Sequence, residues 1–233
     1  MSWLRGPTGE DVREGWRGHA RESLVDVNDG IVAAAGIAEG FARAGAGTRT
    51  LLMAGLVVML TGGLAAAGAR FTEERTEWEM NRSLLAAERA SIEADPEAEF
   101  EELVGIYESK GLTGELARQV AEALTARDPV AAHADAELHL DRFESPLNSF
   151  YAALTAGLCF AFGAALPLAL IVAVPVGERV ELTFITVLLA LALTGWFASW
   201  LTGLPVFRLV VRNLVLGAAT MAAGLIVGLV VGI

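Results

Sequence analysis

Five side chains in the middle of the chain have the types and spacings that bind divalent metal ions. Glu99 and Glu102 are three residues apart, and His133 and Glu137 are four apart, so each pair shares one face of a helix. Glu88 precedes them in the same acidic stretch. Carboxylates with one imidazole suit a borderline metal such as Fe²⁺, Mn²⁺, Co²⁺ or Zn²⁺. The alternative is an acidic surface that is only solvated, as most runs of charge are.

A second set of carboxylates lies inside the first apolar segment. Asp26 and Asp29 are three residues apart on one helix face, with Asn28 between them. Glu39 follows ten residues after Asp29, about 15 Å along a helix axis. A carboxylate inside a bilayer is costly and normally faces a cavity, an ion path or a partner. Asp26, Asp29 and Glu39 therefore predict a transport pathway. The alternative is that Asp26 and Asp29 only cap the helix at the interface and that Glu39 reaches water at its far end.

The motifs of common enzyme classes are missing from the sequence. There is no phosphate-binding glycine-rich loop, no Ser/His/Asp arrangement with elbow spacing, no CxxC and no His-rich cluster. The lone cysteine, Cys159, lies in an apolar run and is typical of a small buried side chain. The net charge of −11 argues against a nucleic-acid partner, which needs a basic face. We expect no enzyme and no organic cofactor, with a metal ion as substrate or ligand.

The composition divides the chain into an apolar part and an acidic insert. Only 19% of residues are charged and 54% are hydrophobic. Residues 71–148 hold 19 acidic and 7 basic residues, a net charge of −12. A spanning helix needs about 20 mainly apolar residues. Five segments meet that length: Leu24–Ala44, Thr50–Ala69, Phe150–Val174, Leu182–Leu204 and Leu209–Ile233. The sequence thus predicts an all-α polytopic membrane protein with five transmembrane helices and a helical domain inserted between helices 2 and 3.

This pattern predicts four parts and an orientation. Residues 1–20 form an N-terminal cytoplasmic or interfacial segment, 21–70 transmembrane helices 1 and 2, 71–148 the acidic helical metal-binding domain, and 149–233 transmembrane helices 3 to 5. More arginines flank the spans on the side of the N-terminus, which places the N-terminus and the acidic domain in the cytoplasm. Lys110 is the only lysine, while Ala and Gly abound. That usage is typical of a GC-rich prokaryote and predicts its plasma membrane, with the lipid bilayer as partner.

The acidic insert is predicted to be helical throughout. Residues 70–91 contain no Gly or Pro and continue the second span as one long helix. Asp95-Pro96 and Asp128-Pro129 pair a capping side chain with a proline in the first turn, so each starts a helix, the last running to about Arg142. Two apolar stripes would pack these helices together: Leu103, Ile106 and Tyr107, then Leu116, Val120 and Leu124.

Small residues mark where membrane helices could approach closely. Gly62 and Gly63 lie in the second span, and Gly217, Gly224 and Gly228 lie in the fifth. Interfaces between membrane helices are rich in small residues, which predicts packing or dimerisation at these positions.

Together these segments resemble the vacuolar iron transporter family. That family's first span reads Arg-Asp-x-x-x-Gly-x-Asn-Asp-Gly, and here the chain has Arg21-Glu-Ser-Leu-Val-Asp-Val-Asn-Asp-Gly30. Residues 95–112 are similar to its metal-binding helices, and so is the segment Glu115-Leu-Ala-Arg-Gln-Val-Ala121. Gly163-Ala-Ala-Leu-Pro-Leu168 resembles its third span and Arg212-Asn-Leu-Val-Leu-Gly-Ala-Ala219 its fifth.

The resemblance implies a fold and a function. It implies a homodimer with five spans per subunit that exports Fe²⁺ and similar cations from the cytosol in exchange for protons. The family's transport Asp corresponds to Asp29, and Ser91 breaks the family's ligand pattern. The positions that match the family's cytoplasmic ligands are Glu88, Ser91, Glu99, Glu102, His133 and Glu137.

The second span departs from the family pattern. Where the family has Ser-Met-Ala-Ala-Gly-Glu-Tyr, this chain has Leu64-Ala-Ala-Ala-Gly-Ala-Arg70. A pathway that loses a carboxylate and gains a positive charge should bind divalent ions less well. Two outcomes stay open: Asp26 and Glu39 restore the charge, or Arg70 pairs with one of them and closes the route. In the second case the chain would be a membrane-anchored metal-binding or interaction protein that does not transport.

Overall fold

The computed structural model describes residues 9–137 and 147–232. Over these residues the chain is all-helical, as predicted, with no strand. A 3₁₀ turn at Val176–Glu178 precedes the seventh helix. The helices are α1 Gly9–Arg43, α2 Thr48–Ala94, α3 Pro96–Ser109, α4 Gly114–Thr125, α5 Pro129–Ala136, α6 Asn148–Ala173, α7 Arg179–Thr202 and α8 Val206–Val231. The predicted end of the last insert helix, at Arg142, lies outside the described residues.

Four helices, α2, α6, α7 and α8, are long and apolar enough to cross a membrane. They cover most of the second to fifth predicted spans, although α6, α7 and α8 end one or two residues before the predicted ends. Helix α2 runs on unbroken for 47 residues, as its sequence predicted. Helix α1 is not among the four, because Asp26, Asp29 and Glu39 interrupt its apolar half. The chain is therefore an integral membrane protein.

The chain forms two compact units, Glu73–Asn148 and a unit built of Pro7–Thr72 with Ser149–Ile233. In the second unit, helix α1 packs against α7 and α8, and these two pack on each other. The middle of α1 is the most enclosed part of this unit. Its buried side chains are Ile31, Ala34, Ala35, Ala38 and Glu39.

Glycines bring α1 into backbone contact with its neighbours. A Cβ atom added at Gly30 would overlap the carbonyl oxygen of Phe160 on α6, and one added at Gly163 would overlap that of Val27 on α1. Farther along, Gly224 and Gly228 of α8 meet the carbonyl oxygens of Gly36 and Gly40. The predicted close approach at Gly224 and Gly228 is thus realised inside one chain, and it fixes the rotation of α1 about its axis.

Replacing Gly163 with alanine is expected to destabilise the protein by about 1–3 kcal/mol, because the Val27 carbonyl occupies the space of the new methyl group. The matched control is Gly68→Ala, since nothing lies within 4 Å of a Cβ there. Alanine favours helix over glycine by about 1 kcal/mol, so the control should be neutral or stabilising. Thermal unfolding in detergent compares the two variants. Equal midpoints would mean that α1 and α6 do not touch as described.

In the acidic unit, helices α3, α4 and α5 surround a small apolar core. The predicted stripe of α3 is confirmed by the burial of Leu103, with Ile106 and Tyr107 packed against it. The prediction that Leu116 belongs to the packing stripe of α4 was wrong, because this side chain is 49% exposed. Small side chains fill the core on α4 and α5 instead: Ala117, Ala121, Ala132 and Ala136.

The starts of α3 and α5 are fixed by the predicted caps. Asp95 accepts a hydrogen bond from the backbone N–H of Ala98 at 3.1 Å, and Asp128 accepts one from Ala131 at 3.0 Å. The Nζ of Lys110, at the end of α3, donates to the carbonyl oxygen of Ala136 at 2.9 Å. These contacts hold the last turn of α5 beside α3 and so position the side chains described next.

Candidate metal centre and transport pathway

Three predicted ligands from three helices meet in the acidic unit. Glu88 on α2, Glu99 on α3 and His133 on α5 each offer one ligand atom, and these atoms lie within 4.8 Å of one another. His133 Nδ1 is 2.9 Å from Glu88 Oε1 and 3.9 Å from Glu99 Oε2. Glu137, directly after α5, places Oε2 3.8 Å from the same nitrogen. Three of the five predicted ligands thus come together, and a fourth, Glu137, lies beside His133.

The two closest atoms of this centre face each other without a well-formed hydrogen bond. His133 is only 2% exposed. Its Nδ1 and Glu88 Oε1 are both buried, and neither makes a hydrogen bond of acceptable geometry to the described residues, although they lie 2.9 Å apart. A buried polar atom without a partner costs about 1–3 kcal/mol. A divalent cation would satisfy both atoms at once, so the donor set fits the metals predicted from its chemistry.

The electrostatics of the centre also favour a bound cation. Burial raises the pKa of Glu88, the charges of Glu137, Glu99 and Glu102 raise it further, and His133 opposes them. Glu102 is exposed and is not one of the three residues whose ligand atoms meet, so it affects Glu88 only through its charge. A positive ion would relieve the crowding of like charges.

Neighbouring Glu101 shows what an acidic residue outside the centre does. The guanidinium of Arg118 donates to both of its carboxylate oxygens, at 2.6 and 2.7 Å, on the exposed surface between α3 and α4. Glu101 therefore carries the same charge as Glu99 on the same helix but already has a cationic partner. It is the natural control for substitutions in the centre.

Replacing Glu88 with glutamine is expected to stabilise the metal-free protein at neutral pH. Because the folded-state pKa of Glu88 is raised, ionising it costs the folded state stability as pH rises through that pKa. Below the unfolded-state pKa the carboxyl is protonated in both states, and the advantage of glutamine should vanish. Thermal unfolding with a chelator, from acidic to neutral pH, measures this. A Glu88→Gln midpoint below that of the natural protein at neutral pH would contradict the assignment, and Glu101→Gln should show no gain.

In the membrane unit, a hydrogen bond to Asn28 fixes which side of α1 faces α7. Thr194 on α7 donates its hydroxyl to Asn28 Oδ1 at 2.6 Å. Asn213 on α8 is buried and donates to the Leu191 carbonyl oxygen at 3.4 Å. With Asn28 turned toward α7, the next residue, Asp29, lies about 100° around the helix and is exposed on the surface of the chain.

Asp26 has different surroundings from Asp29, although the two are one turn apart. Its Oδ2 lies 3.9 Å from a guanidinium nitrogen of Arg70, and Glu22 Oε2 lies 3.5 Å from another. The side chains of Asp26 and Arg70 are both mostly buried. Of the two outcomes left open by the sequence, pairing of Arg70 with a carboxylate of α1 is the one observed.

Glu39 lies apart from both of these groups. It is 2% exposed, and neither of its carboxylate oxygens has a hydrogen-bond partner among the described residues. It borders a small cavity between α1, α2, α6 and α7. The alternative that Glu39 simply reaches water is therefore wrong.

The comparisons place these features in a family. The family model described as "VIT family" matches residues 20–229, which is most of the chain. This chain belongs to the VIT family.

Individual relatives carry the name of one kind of transporter. An Acanthamoeba castellanii protein named "Vacuolar iron transporter" is 30% identical over 154 residues, 66% of this chain and 56% of that protein. "Vacuolar iron transporter 2" of Oryza sativa is 26% identical over 206 residues, 87% and 83% of the two chains. "Vacuolar iron transporter 1" of Tulipa gesneriana is 25% identical over 207 residues, 87% of this chain and 83% of that one. The match thus spans little more than half of the Acanthamoeba protein.

Four polar residues of this VIT family member were missed as contributors to the membrane unit. They are Glu22, Arg179, Thr194 and Asn213. Each was visible as a polar side chain in or beside an apolar segment, which is itself a signal of function or pairing. Each has a partner on another helix, and such partners could not be read from the sequence.

Proposed function

We propose that this chain exports divalent cations of the Fe²⁺/Mn²⁺ type from the cytosol, by exchange for protons. The observation that carries the proposal is the meeting of Glu88, Glu99 and His133, whose ligand atoms lie within 4.8 Å of one another, on a chain with membrane-spanning helices. Membership in a family whose relatives are named vacuolar iron transporters supports it.

The proposed topology has five spans, with α1 as the first. The middle of α1 is enclosed by helices that are apolar enough to cross a membrane, which supports a spanning position despite its three carboxylates. The N-terminus and residues 71–148 would face the cytoplasm, because the arginines flanking the spans favour that side. The near absence of lysine supports a prokaryotic plasma membrane.

The proposed route begins at the acidic unit and passes Asp29. Glu88, Glu99, Glu102, His133 and Glu137 would collect metal. Asp29, helped by Asp26, would hand it across the membrane, and protonation of the carboxylates would release it.

A homodimer follows from the position of Asp29 in this scheme. An exposed carboxylate on a spanning helix is costly in lipid. A second copy of the chain that covers this face would give Asp29 a polar, enclosed route.

The direct test is flux of Fe²⁺ and Mn²⁺ into proteoliposomes with an imposed pH gradient. The control is the triple variant Glu99→Ala, Glu102→Ala and Glu137→Ala. Flux that follows the gradient and falls in the triple variant is expected. Absence of flux from the natural protein, with metal still bound, would refute transport.

That negative result would favour a second function, a membrane-anchored metal-binding or sensing protein. Its specific support is the pairing of Arg70 with Asp26 and Glu22, which puts a positive charge beside the route. In this alternative the acidic unit binds metal and the spans only anchor it.

Replacing Arg70 with alanine is expected to raise metal flux about threefold to tenfold. The substitution removes a cation that competes with the metal for Asp26 and repels it along the route. The matched control is Arg75→Ala, because Arg75 lies on the same helix and pairs with exposed Glu79 at 2.8 Å. Initial rates of Mn²⁺ uptake measure the change. Flux that is unchanged or lower in Arg70→Ala would show that Arg70 does not restrain transport.

A further inference from the structure

The carboxylate of Glu39 is aimed into a cavity whose volume is about 10 Å³, room for one water molecule. Apolar side chains from α1, α2 and α6 form most of the wall. Arg179 and Thr183 of α7, both buried, contribute the other polar groups among the lining residues. The site therefore holds one acidic group, one basic group and space for a single small molecule between helices.

Arg179 is fixed in place by contacts that leave donors to spare. Its Nε donates to the Val174 carbonyl oxygen at 3.1 Å, and its Nη1 donates to Thr48 Oγ1 at 3.0 Å. A guanidinium has five N–H donors. The described structure gives Glu39 no hydrogen bond or ion pair of its own, so the two charges share the cavity without a direct contact.

This arrangement disfavours a divalent cation and favours a proton. A single carboxylate is a poor ligand set, and the positive charges of Arg179 and of Arg43, one turn along α1, repel a metal ion. A proton needs only this one carboxylate, and although the two arginines disfavour it too, it removes a buried charge that has no hydrogen-bond partner among the described residues. Protonation neutralises Glu39 and ends its attraction to the fixed guanidinium, so the two states differ electrostatically.

The cavity also lies at the end of the bundle that the proposed topology turns away from the cytoplasm. Arg43 ends α1, Thr48 begins α2 and Arg179 begins α7. Asp29 lies about 15 Å away along α1, toward the other end. Water outside the cell would thus be the nearest source of protons for Glu39.

We propose that Glu39 is the proton-binding residue of the exchanger, kept separate from the metal route by Arg179. The inference rests on the proposed function. In each cycle the Glu39 carboxylate takes one proton from water outside and gives it up to water on the cytoplasmic side, while metal passes Asp29 in the opposite direction.

The test compares two transport modes of Glu39→Gln, which imitates the protonated side chain. The first is Mn²⁺ flux driven by a pH gradient, and the second is exchange of labelled for unlabelled Mn²⁺ at equal pH on both sides. Gradient-driven flux should fall at least about tenfold, whereas exchange should stay within about twofold of the natural protein and lose its dependence on pH. Glu178→Gln, an exposed carboxylate beside the start of α7, should change neither.

Every other combination of results in the two transport modes leads to a different conclusion. Gradient-driven flux that survives in Glu39→Gln overturns the inference, and so does loss of both modes, which would place Glu39 on the metal route or in the fold. A natural protein without flux in either mode refutes the proposed function itself. Infrared titration then judges Glu39 alone: the difference spectrum between the natural protein and Glu39→Gln should contain the carbonyl-stretch band of a protonated buried carboxyl. A difference spectrum without that band overturns the assignment.

Discussion

Replacing His133 with alanine is expected to weaken Mn²⁺ binding by the solubilised protein about 100-fold or more. His133 is the most buried ligand and the one that all three neighbouring carboxylates face. Without the imidazole, Glu88 and Glu99 would repel each other across a void. Loss of even an outer partner of a metal ligand typically costs about 10- to 100-fold in affinity. Isothermal titration calorimetry measures the affinity, and the Co²⁺ absorption spectrum reports loss of the nitrogen ligand.

A matched pair of variants separates a true site from a diffuse acidic surface. Glu99→Gln and Glu101→Gln remove the same charge from the same helix, but only Glu99 faces His133, while Glu101 is held by Arg118. We expect a large loss of affinity for Glu99→Gln and less than about threefold for Glu101→Gln, because exposed charges interact weakly through water. Equal losses would mean that the unit attracts cations by net charge alone.

Local sequence signals predicted the elements of this fold well. Long apolar runs predicted α2, α6, α7 and α8, and Asp-Pro pairs predicted the starts of α3 and α5. The physics is local in each case, since a cap is a contact within one turn and a span is a matter of length and polarity. The failure at Leu116 has a tertiary cause: α4 turns Ala117 inward, toward α3 and α5, and small residues fit that narrow core.

The sequence predicted which residues form the candidate site but not how they are arranged in space. Glu88 and His133 are 45 positions apart in the sequence, so only the folded chain brings them within 2.9 Å. From their spacing, Glu99 and Glu102 were equally good candidate ligands. In the structure Glu99 lies with Glu88 and His133, whereas Glu102 is exposed. Similarly, Asp26 and Asp29 share a face by spacing, but the contact of Asn28 with Thr194 leaves Asp29 exposed while Asp26 meets Arg70. Interactions between helices decide such differences.

Replacing Asp29 with asparagine is expected to lower metal flux at least about 100-fold and to leave metal binding by the acidic unit unchanged. Moving a divalent ion through an apolar bundle requires a negative partner, because the attraction between charges is strong where water is scarce. Asp29 is an exposed carboxylate inside the first apolar segment, and its neighbour Asn28 is held by Thr194, so asparagine can keep the shape without the charge. Proteoliposome flux and calorimetric binding are measured on the same preparation.

Measuring flux and binding together distinguishes a damaged route from a damaged protein in Asp29→Asn. Glu181→Gln, an exposed carboxylate in the first turn of α7, removes the same charge without touching α1 and should transport normally. Asp29→Glu, which keeps the charge on a longer side chain, should recover part of the flux. Loss of flux together with loss of binding would indicate damage to the protein rather than to its route. Unchanged flux in Asp29→Asn would remove Asp29 from the mechanism, and Asp26 and Glu22 beside Arg70 would become the next carboxylates of α1 to test.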